Sequence, residues 1–499
     1  MNRTFTIKFG RIAGILVLVG LLSGIFLSLA VNVQEVYAAE AVQTASADTE
    51  ISFVDDDGRQ ISLDAPAERI ISLYSAHTEN LYSLGVGDKI IGVHDTSIYP
   101  AAAAFLPQFD YDADPENIIA ADPDLVLIRP FISRRVPTLV ETLERAGIKV
   151  VSLYPNSYTV FDDYIRKLAL VTGASEKAEA LLEKYHQDLD NIHAQTEVIE
   201  DKQSIFFEST ETDLRTVTAD SMPAYAIEIA GGINVAAGAE PVQAGSSIAP
   251  FGAERILELA DEIDVYVSQR GAMNAGGNLH SISIRPGFDT IKAIKDGRVF
   301  VINEKIISSP TFRFYKGARE IARYLYPEVM DDLSTYLTDA PATKRDLANI
   351  LLRSAHLPIY STSSSSYYTQ DHRGHIYGLF ADTDWTDPDF DAIETVVMRG
   401  YVDWDLEDDQ EVYHPEAPVT KEMLAKAIFI LYDFEAAEPG FEITDLADCE
   451  NPRIVQTLVA HNLFPLEDGK FEPQQPLTNQ EIVEFLEAAK VKQETVAVP

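Results

Sequence analysis

Cysteine is almost missing, since Cys449 is the only one in 499 residues. A single thiol excludes an internal disulfide framework, a cysteine-based zinc site and a cysteine-held iron–sulfur cluster. It also leaves no cysteine near the N-terminus for lipid attachment. Positive charge is scarce: 39 Lys and Arg stand against 79 Asp and Glu, a formal charge of −40. A surface this acidic is repelled by phosphate backbones, so nucleic acid is not an expected partner. No serine elbow, Walker loop or zinc-protease helix motif occurs in the sequence, so no motif points to an enzyme and no cofactor is expected.

What remains has a globular composition, 46% apolar and 24% charged, over a length that suits several domains of about 150 residues. The first 38 residues read as an export signal. Arg3, Lys8 and Arg11 precede an uncharged apolar run over 12–33, and Val36-Tyr37-Ala38 gives a small-x-small cleavage pattern. The run is also long enough to stay as an uncleaved membrane anchor, which takes about 20 apolar residues. Either way the rest of the chain is expected outside the cytoplasmic membrane. Without the leader it carries −42.

After a linker at 39–50, short apolar strands alternate with amphipathic helices, the pattern of an α/β fold. An Asp55-Asp56-Asp57-Gly58 turn predicts an opening hairpin. Strands are expected at 69–73, 89–93, 124–128 and 149–153, then at 204–208, 264–268 and 298–302, giving lobes over 51–174 and 199–334. Between them, Leu181, Leu182, Tyr185, Leu189 and Ile192 recur at helical spacing, which predicts one linking helix over 175–198, roughly 30 Å long.

Four ordered segments resemble a known family: ERIISLYSAHTENLYSLGVGDKIIGV from Glu68, DPENIIAADPDLVLI from Asp114, EIAGGINV from Glu228 and GFDTIKAIKDGRVFVIN from Gly287. They are similar to the class III substrate-binding proteins of ABC importers, which deliver ferric siderophores, haem or cobalamin. The resemblance implies two Rossmann-like lobes joined by a long α-helix, a metal chelate held in the cleft as ligand, and an ABC permease with its ATPase as partner. A ferric siderophore is the first expectation, with cobalamin or haem as the alternative. A chelatase-like enzyme on the same scaffold and a non-transporting envelope anchor or sensor are the readings from other classes. The protein is expected to be a monomer.

The resemblance also implies docking of the permease on one exposed glutamate per lobe, for which Glu116 and Glu254 occupy the matching segments. Acidic residues also favour helix N-termini through the macrodipole alone, by about 0.3–1 kcal/mol each. Open α/β lobes bind ligands beyond the carboxyl ends of their strands. There the chain offers Tyr74, His77, Arg129, Phe131, Arg134, Arg135, Tyr154, Arg215, Arg270 and Arg313. Guanidinium forks suit carboxylate or catecholate oxygens, although any one of them also suits a surface ion pair. His77 and His94 raise a bare-metal site, but the remaining ligands of one are not evident, so no metal site is assigned.

From Thr335 onward there are 11 basic and 31 acidic residues. Three threonines each open an expected helix: Thr343 before Lys344-Arg345-Asp346, Thr420 before Lys421-Glu422, and Thr478 before Asn479-Gln480-Glu481. A serine-rich stretch at 361–366 interrupts the first repeat. Residues 335–499 resemble three S-layer homology repeats, which implies a mainly α-helical C-terminal repeat domain holding the protein to a cell-wall polymer, with Lys344 and Lys421 at the cationic position. Asn479 departs from that position. A helical bundle that binds no glycan is the alternative.

Overall fold

The computed structural model describes residues 51–496, apart from 242, 244, 245, 277 and 360–378. The export segment, the linker and the serine-rich stretch lie outside the described residues. Among those described, no helix is long and apolar enough to cross a membrane.

The chain opens with the antiparallel hairpin β1 (Ile51–Val54) and β2 (Gln60–Leu63), in register Ile51 to Leu63. A parallel sheet follows: β3 (Ile70–Ser72), β4 (Ile90–Val93), β5 (Leu125–Ile128) and β6 (Lys149–Ser152), in the order β4-β3-β5-β6. All four β5 side chains are buried, as a parallel strand covered on both faces requires. The second lobe repeats the plan with β7 (Ser204–Glu208), β8 (Thr216–Val217), β9 (Ile233–Asn234), β10 (Ile248–Ala249), β11 (Val265–Arg270) and β12 (Val299–Asn303). Its parallel sheet runs β12-β11-β7-β9, with β8 and β10 as a small antiparallel pair. Apart from the two-residue strands β8, β9 and β10, which no apolar run announced, the strands sit within a residue or two of the runs that predicted them.

Gly173, at φ 77°, closes helix Phe161–Thr172 in the left-handed region that glycine tolerates. The linking helix Ser175–Glu197 starts two residues later and is about 35 Å long. Its inward face carries Ala178, Leu182, Tyr185, Leu189 and Ile192. Tyr185 packs on Phe161 of the first lobe at 4.8 Å and on Phe314 at 6.5 Å, in the second-lobe helix Phe314–Leu325. One apolar cluster therefore runs continuously from the hairpin to Met330.

The C-terminal unit has its own core, from Ala342 to Ala489. Its three capped helices are Lys344–Ser354, Lys421–Tyr432 and Asn479–Val496. Thr343 and Thr478 each form a reciprocal capping box with an acid three residues on, whereas Thr420 faces Met423 and only accepts its N–H. The segments leading into these helices close on one another in a ring of isolated bridges. Ala342 N–H donates to Leu477 O, Leu477 N–H to Val419 O, and Val419 N–H to Ala342 O, at 2.9–3.0 Å. Two residues on, Lys344, Lys421 and Asn479 donate in turn to Ala417, Gln475 and Ala340. This cyclic pattern makes the unit pseudo-threefold.

The unit is not a free appendage. Arg323, buried at the end of the second lobe, pairs with Glu320 and Asp331 at 2.7 Å and donates to Leu352 O of the first capped helix. The sequence alone suggested a modular tail; the packing instead makes it part of one compact body with the lobes.

Candidate functional site

Loops leaving the strand ends of both sheets converge on one cleft, a cavity of about 230 Å³. From the first lobe come Tyr74 after β3, His94 and Thr96 after β4, Arg129 after β5, Tyr154 after β6, and Tyr111. From the second come Val217, Met222, Gln269, Met273, Glu304 and Lys305. The Arg129 guanidinium lies 4.7 Å from the Tyr74 ring and 4.9 Å from Phe131. Tyr74 and Tyr154 stand 6.0 Å apart, and His94 stacks on Tyr111 at 5.1 Å. One wall is thus an aromatic surface with a cation set into it, an arrangement that attracts anionic or π-rich ligands.

The charge states follow from burial. Desolvation raises the Tyr74 phenol far above its ordinary value, with Tyr154 adding to the effect, so it stays a neutral donor. Desolvation lowers the His94 imidazole, and its Nδ1 lies 2.9 Å from Thr96 Oγ1. On the facing wall, burial lowers the Lys305 amine, which donates to Ser75 Oγ at 2.8 Å across the cleft. The neighbouring Glu304 carboxylate accepts the Met273 N–H at 2.8 Å. Beneath that wall, Glu208 is fully buried and held by Tyr266, Ser268 and Arg285, which fixes the end of β7 just before the cleft residue Ser209. Among the described residues there is no group of three or more His, Cys, Asp or Glu placed to hold a metal ion.

Of the residues proposed from sequence for the ligand, Tyr74, Arg129 and Tyr154 line the cleft, and Phe131 stands behind them against Arg129 and the Tyr111 ring. The others stand elsewhere. His77 is fully buried below Tyr74, where its Nε2 must carry the proton it gives to Leu153 O at 2.9 Å. Arg134 and Arg135 end helix Pro130–Arg135 at the surface, and Arg135 is spent on Asp112. Arg215 pairs with Asp213, and Arg270 is exposed at the end of β11 without lining the cavity. Arg313 is clasped by Glu79. Glu116 and Glu254 are exposed in the first turns of helices Glu116–Ala120 and Ala253–Glu258, one on each lobe. Lys344 and Lys421 turn inward at 3% and 4% exposure, their ammonium groups over the rings of Tyr413 and Phe471.

Sequence reasoning missed Tyr111, Met222, Gln269, Met273, Glu304 and Lys305 as cleft residues. The last two sit just past the end of β12, which falls one residue beyond the strand end expected at 302, so that strand end was the available signal.

Two parallel-sheet lobes joined by one long helix, with a lined cleft between their strand ends, make up a bilobal α/β fold. Residues 70–306 match the family model described as periplasmic binding protein. The ABC transporter substrate-binding lipoprotein YvrC of Bacillus subtilis, itself uncharacterized, is 24% identical over 290 residues, covering 56% of this chain and 87% of the relative. The vitamin B12-binding protein of Vibrio campbellii is 28% identical over 262 residues, 52% of this chain and 90% of the relative. Among solved structures, a possible iron-binding (periplasmic solute-binding) protein of Staphylococcus epidermidis shares 24% identity at a TM-score of 0.46, over 52% of this chain and 99% of that one. The vitamin B12 binding protein BtuF of Vibrio cholerae shares 23% at a TM-score of 0.42, over 52% and 96%.

Proposed function

We propose that the protein is the extracytoplasmic substrate-binding component of an ABC importer, capturing a metal chelate between its lobes and handing it to a permease. The observation that carries this reading is the cleft wall of Tyr74, Tyr154 and Arg129 facing Lys305. It pairs flat aromatic surface with two cationic side chains and uses no covalent chemistry. A ferric siderophore with catecholate or carboxylate oxygens suits that wall best. Cobalamin is the second reading, favoured by the curated relatives named for vitamin B12 binding. A cavity of about 230 Å³ is below the usual 300–1,000 Å³ of ligand pockets, so a bulky chelate would protrude or the lobes would part to admit it.

Glu116 and Glu254 are the proposed contacts with the permease, supported by their exposure on separate lobes. The C-terminal unit is proposed to hold the protein at the cell wall. Its threefold ring of capped helices supports a repeat architecture, although the ammonium groups of Lys344 and Lys421 are spent inside the unit on Asp403 O and Pro465 O. Isothermal titration of the full-length protein with ferric siderophores, haemin and cyanocobalamin tests the ligand reading. A dissociation constant in the micromolar range or tighter for one of them is expected, and no binding below about 1 mM for any would refute it.

A further inference from the structure

Tyr99 belongs to the first lobe, in the loop after β4, yet its ring is where three parts of the molecule meet. The Arg313 guanidinium, at the start of the second-lobe helix Phe314–Leu325, lies 3.4 Å from its centroid. Trp385 of the C-terminal unit meets the same ring edge-on, with centroids 6.1 Å apart and planes at 81°. Close by, Lys316 of the same second-lobe helix pairs at 2.5 Å with Asp391, in the C-terminal helix Phe390–Met398, and both side chains are largely shielded from water. The C-terminal unit is separately fastened to the second lobe by the buried Arg323 cluster. It therefore moves with the second lobe while reaching the first through Trp385.

From this geometry we infer that the C-terminal unit is a brace that sets the angle between the two lobes, gripping the first lobe at Tyr99. A cleft hinged on one helix changes its opening by rotating one lobe against the other. Any such rotation slides Tyr99 past Trp385 and strains the Arg313–Glu79 pair that ties the lobes directly. With the grip intact the lobes hold one angle, and weakening it frees a second. The unit that would fix the protein in the envelope thus also limits access to the cleft, whatever ligand the cleft takes.

The test uses the full-length chain in a Cys449→Ser background, with nitroxide pairs read by double electron–electron resonance. One pair, at Glu141→Cys and Lys295→Cys, spans the lobes at exposed positions. A second, at Lys295→Cys and Glu487→Cys, reports whether the C-terminal unit stays docked on the second lobe. Combining Trp385→Ala with Lys316→Met is expected to broaden the interlobe distribution or add a second distance holding on the order of a tenth of the molecules. Trp385→Phe, which keeps a ring against Tyr99, is expected to retain the single narrow distribution. Should the double variant fold poorly, Trp385→Ala alone removes the contact with the first lobe, leaves the Lys316–Asp391 pair intact and is read the same way. An interlobe distribution identical to that of the unaltered protein overturns the brace, whether the second pair stays fixed or shifts.

Discussion

Arg313 clasps Glu79 with two hydrogen bonds of 2.6 Å each, joining residues 234 positions apart and tying the second lobe to the first beside the cleft. The adjoining Asn80 donates to Pro310 O at 2.9 Å and accepts the Phe312 N–H, so the helix Ser75–Ser83 is pinned along its length. These contacts fix the helix whose first residue, Ser75, accepts from Lys305 at the cleft.

Removing one partner of that pair strands the other. Glu79 is 5% exposed, so Arg313→Met is expected to cost about 3–5 kcal/mol of stability. The double variant Glu79→Met with Arg313→Met should recover much of the loss. Urea unfolding midpoints of the single and double variants check this; equal midpoints for the single variant and the unaltered protein would show that the pair is solvated in solution.

The pH dependence of stability has a traceable source in His77. Burial lowers its imidazole to about 3, against an ordinary value near 6.5. Below pH 6.5 the unfolded chain takes up a proton that the folded one refuses, so stability falls as pH drops from about 6.5 toward 3. The single group contributes a slope of about 1.4 kcal/mol per pH unit in that window. His77→Gln, whose amide can still donate to Leu153 O, is expected to remove that slope between pH 6 and 4 in urea titrations.

On the proposed reading, the two exposed glutamates separate binding from delivery. Glu116→Ala with Glu254→Ala is expected to leave ligand affinity within about twofold and to abolish uptake by cells carrying the cognate permease, because neither residue lines the cleft. Uptake at the unaltered rate would reduce both to acids that suit helix N-termini.

Deleting residues 335–499 should release the protein from purified cell-wall sacculi. The deletion should also lower the lobes' melting temperature, since Lys316 loses Asp391 and Arg323 loses the Leu352 carbonyl. Retention on sacculi without the C-terminal unit would show that the wall contact lies elsewhere.

The lobes were legible because parallel strands buried on both faces leave continuous apolar runs, as in Leu125–Ile128, and because the linking helix repeats its apolar residues on one face. The arginines were not legible. Arg129 and Arg135 differ by six residues, but helix Pro130–Arg135 carries one away from the aromatic wall and delivers it to Asp112. The capture of Arg313 by Glu79 is set by how two lobes meet, a relation that no local pattern encodes. The grip of Trp385 on Tyr99 is hidden for the same reason, since a repeat unit with its own core gives no sign in sequence of where it docks.

The proposed ligand is a metal chelate, held in the cleft on the wall of Tyr74, Tyr154 and Arg129. Native mass spectrometry of the full-length protein, purified without denaturant from cells supplied with iron chelates, tests it most directly when set beside Arg129→Met with Tyr74→Ala. The unaltered protein is expected to carry one adduct with the isotope pattern of an iron complex, and the variant to lose it, each lost charged contact being worth about 1.5–3 kcal/mol or roughly ten- to hundredfold in affinity. An adduct retained equally by both proteins would place the ligand elsewhere, and a metal-free adduct in the cleft would contradict the chelate reading outright.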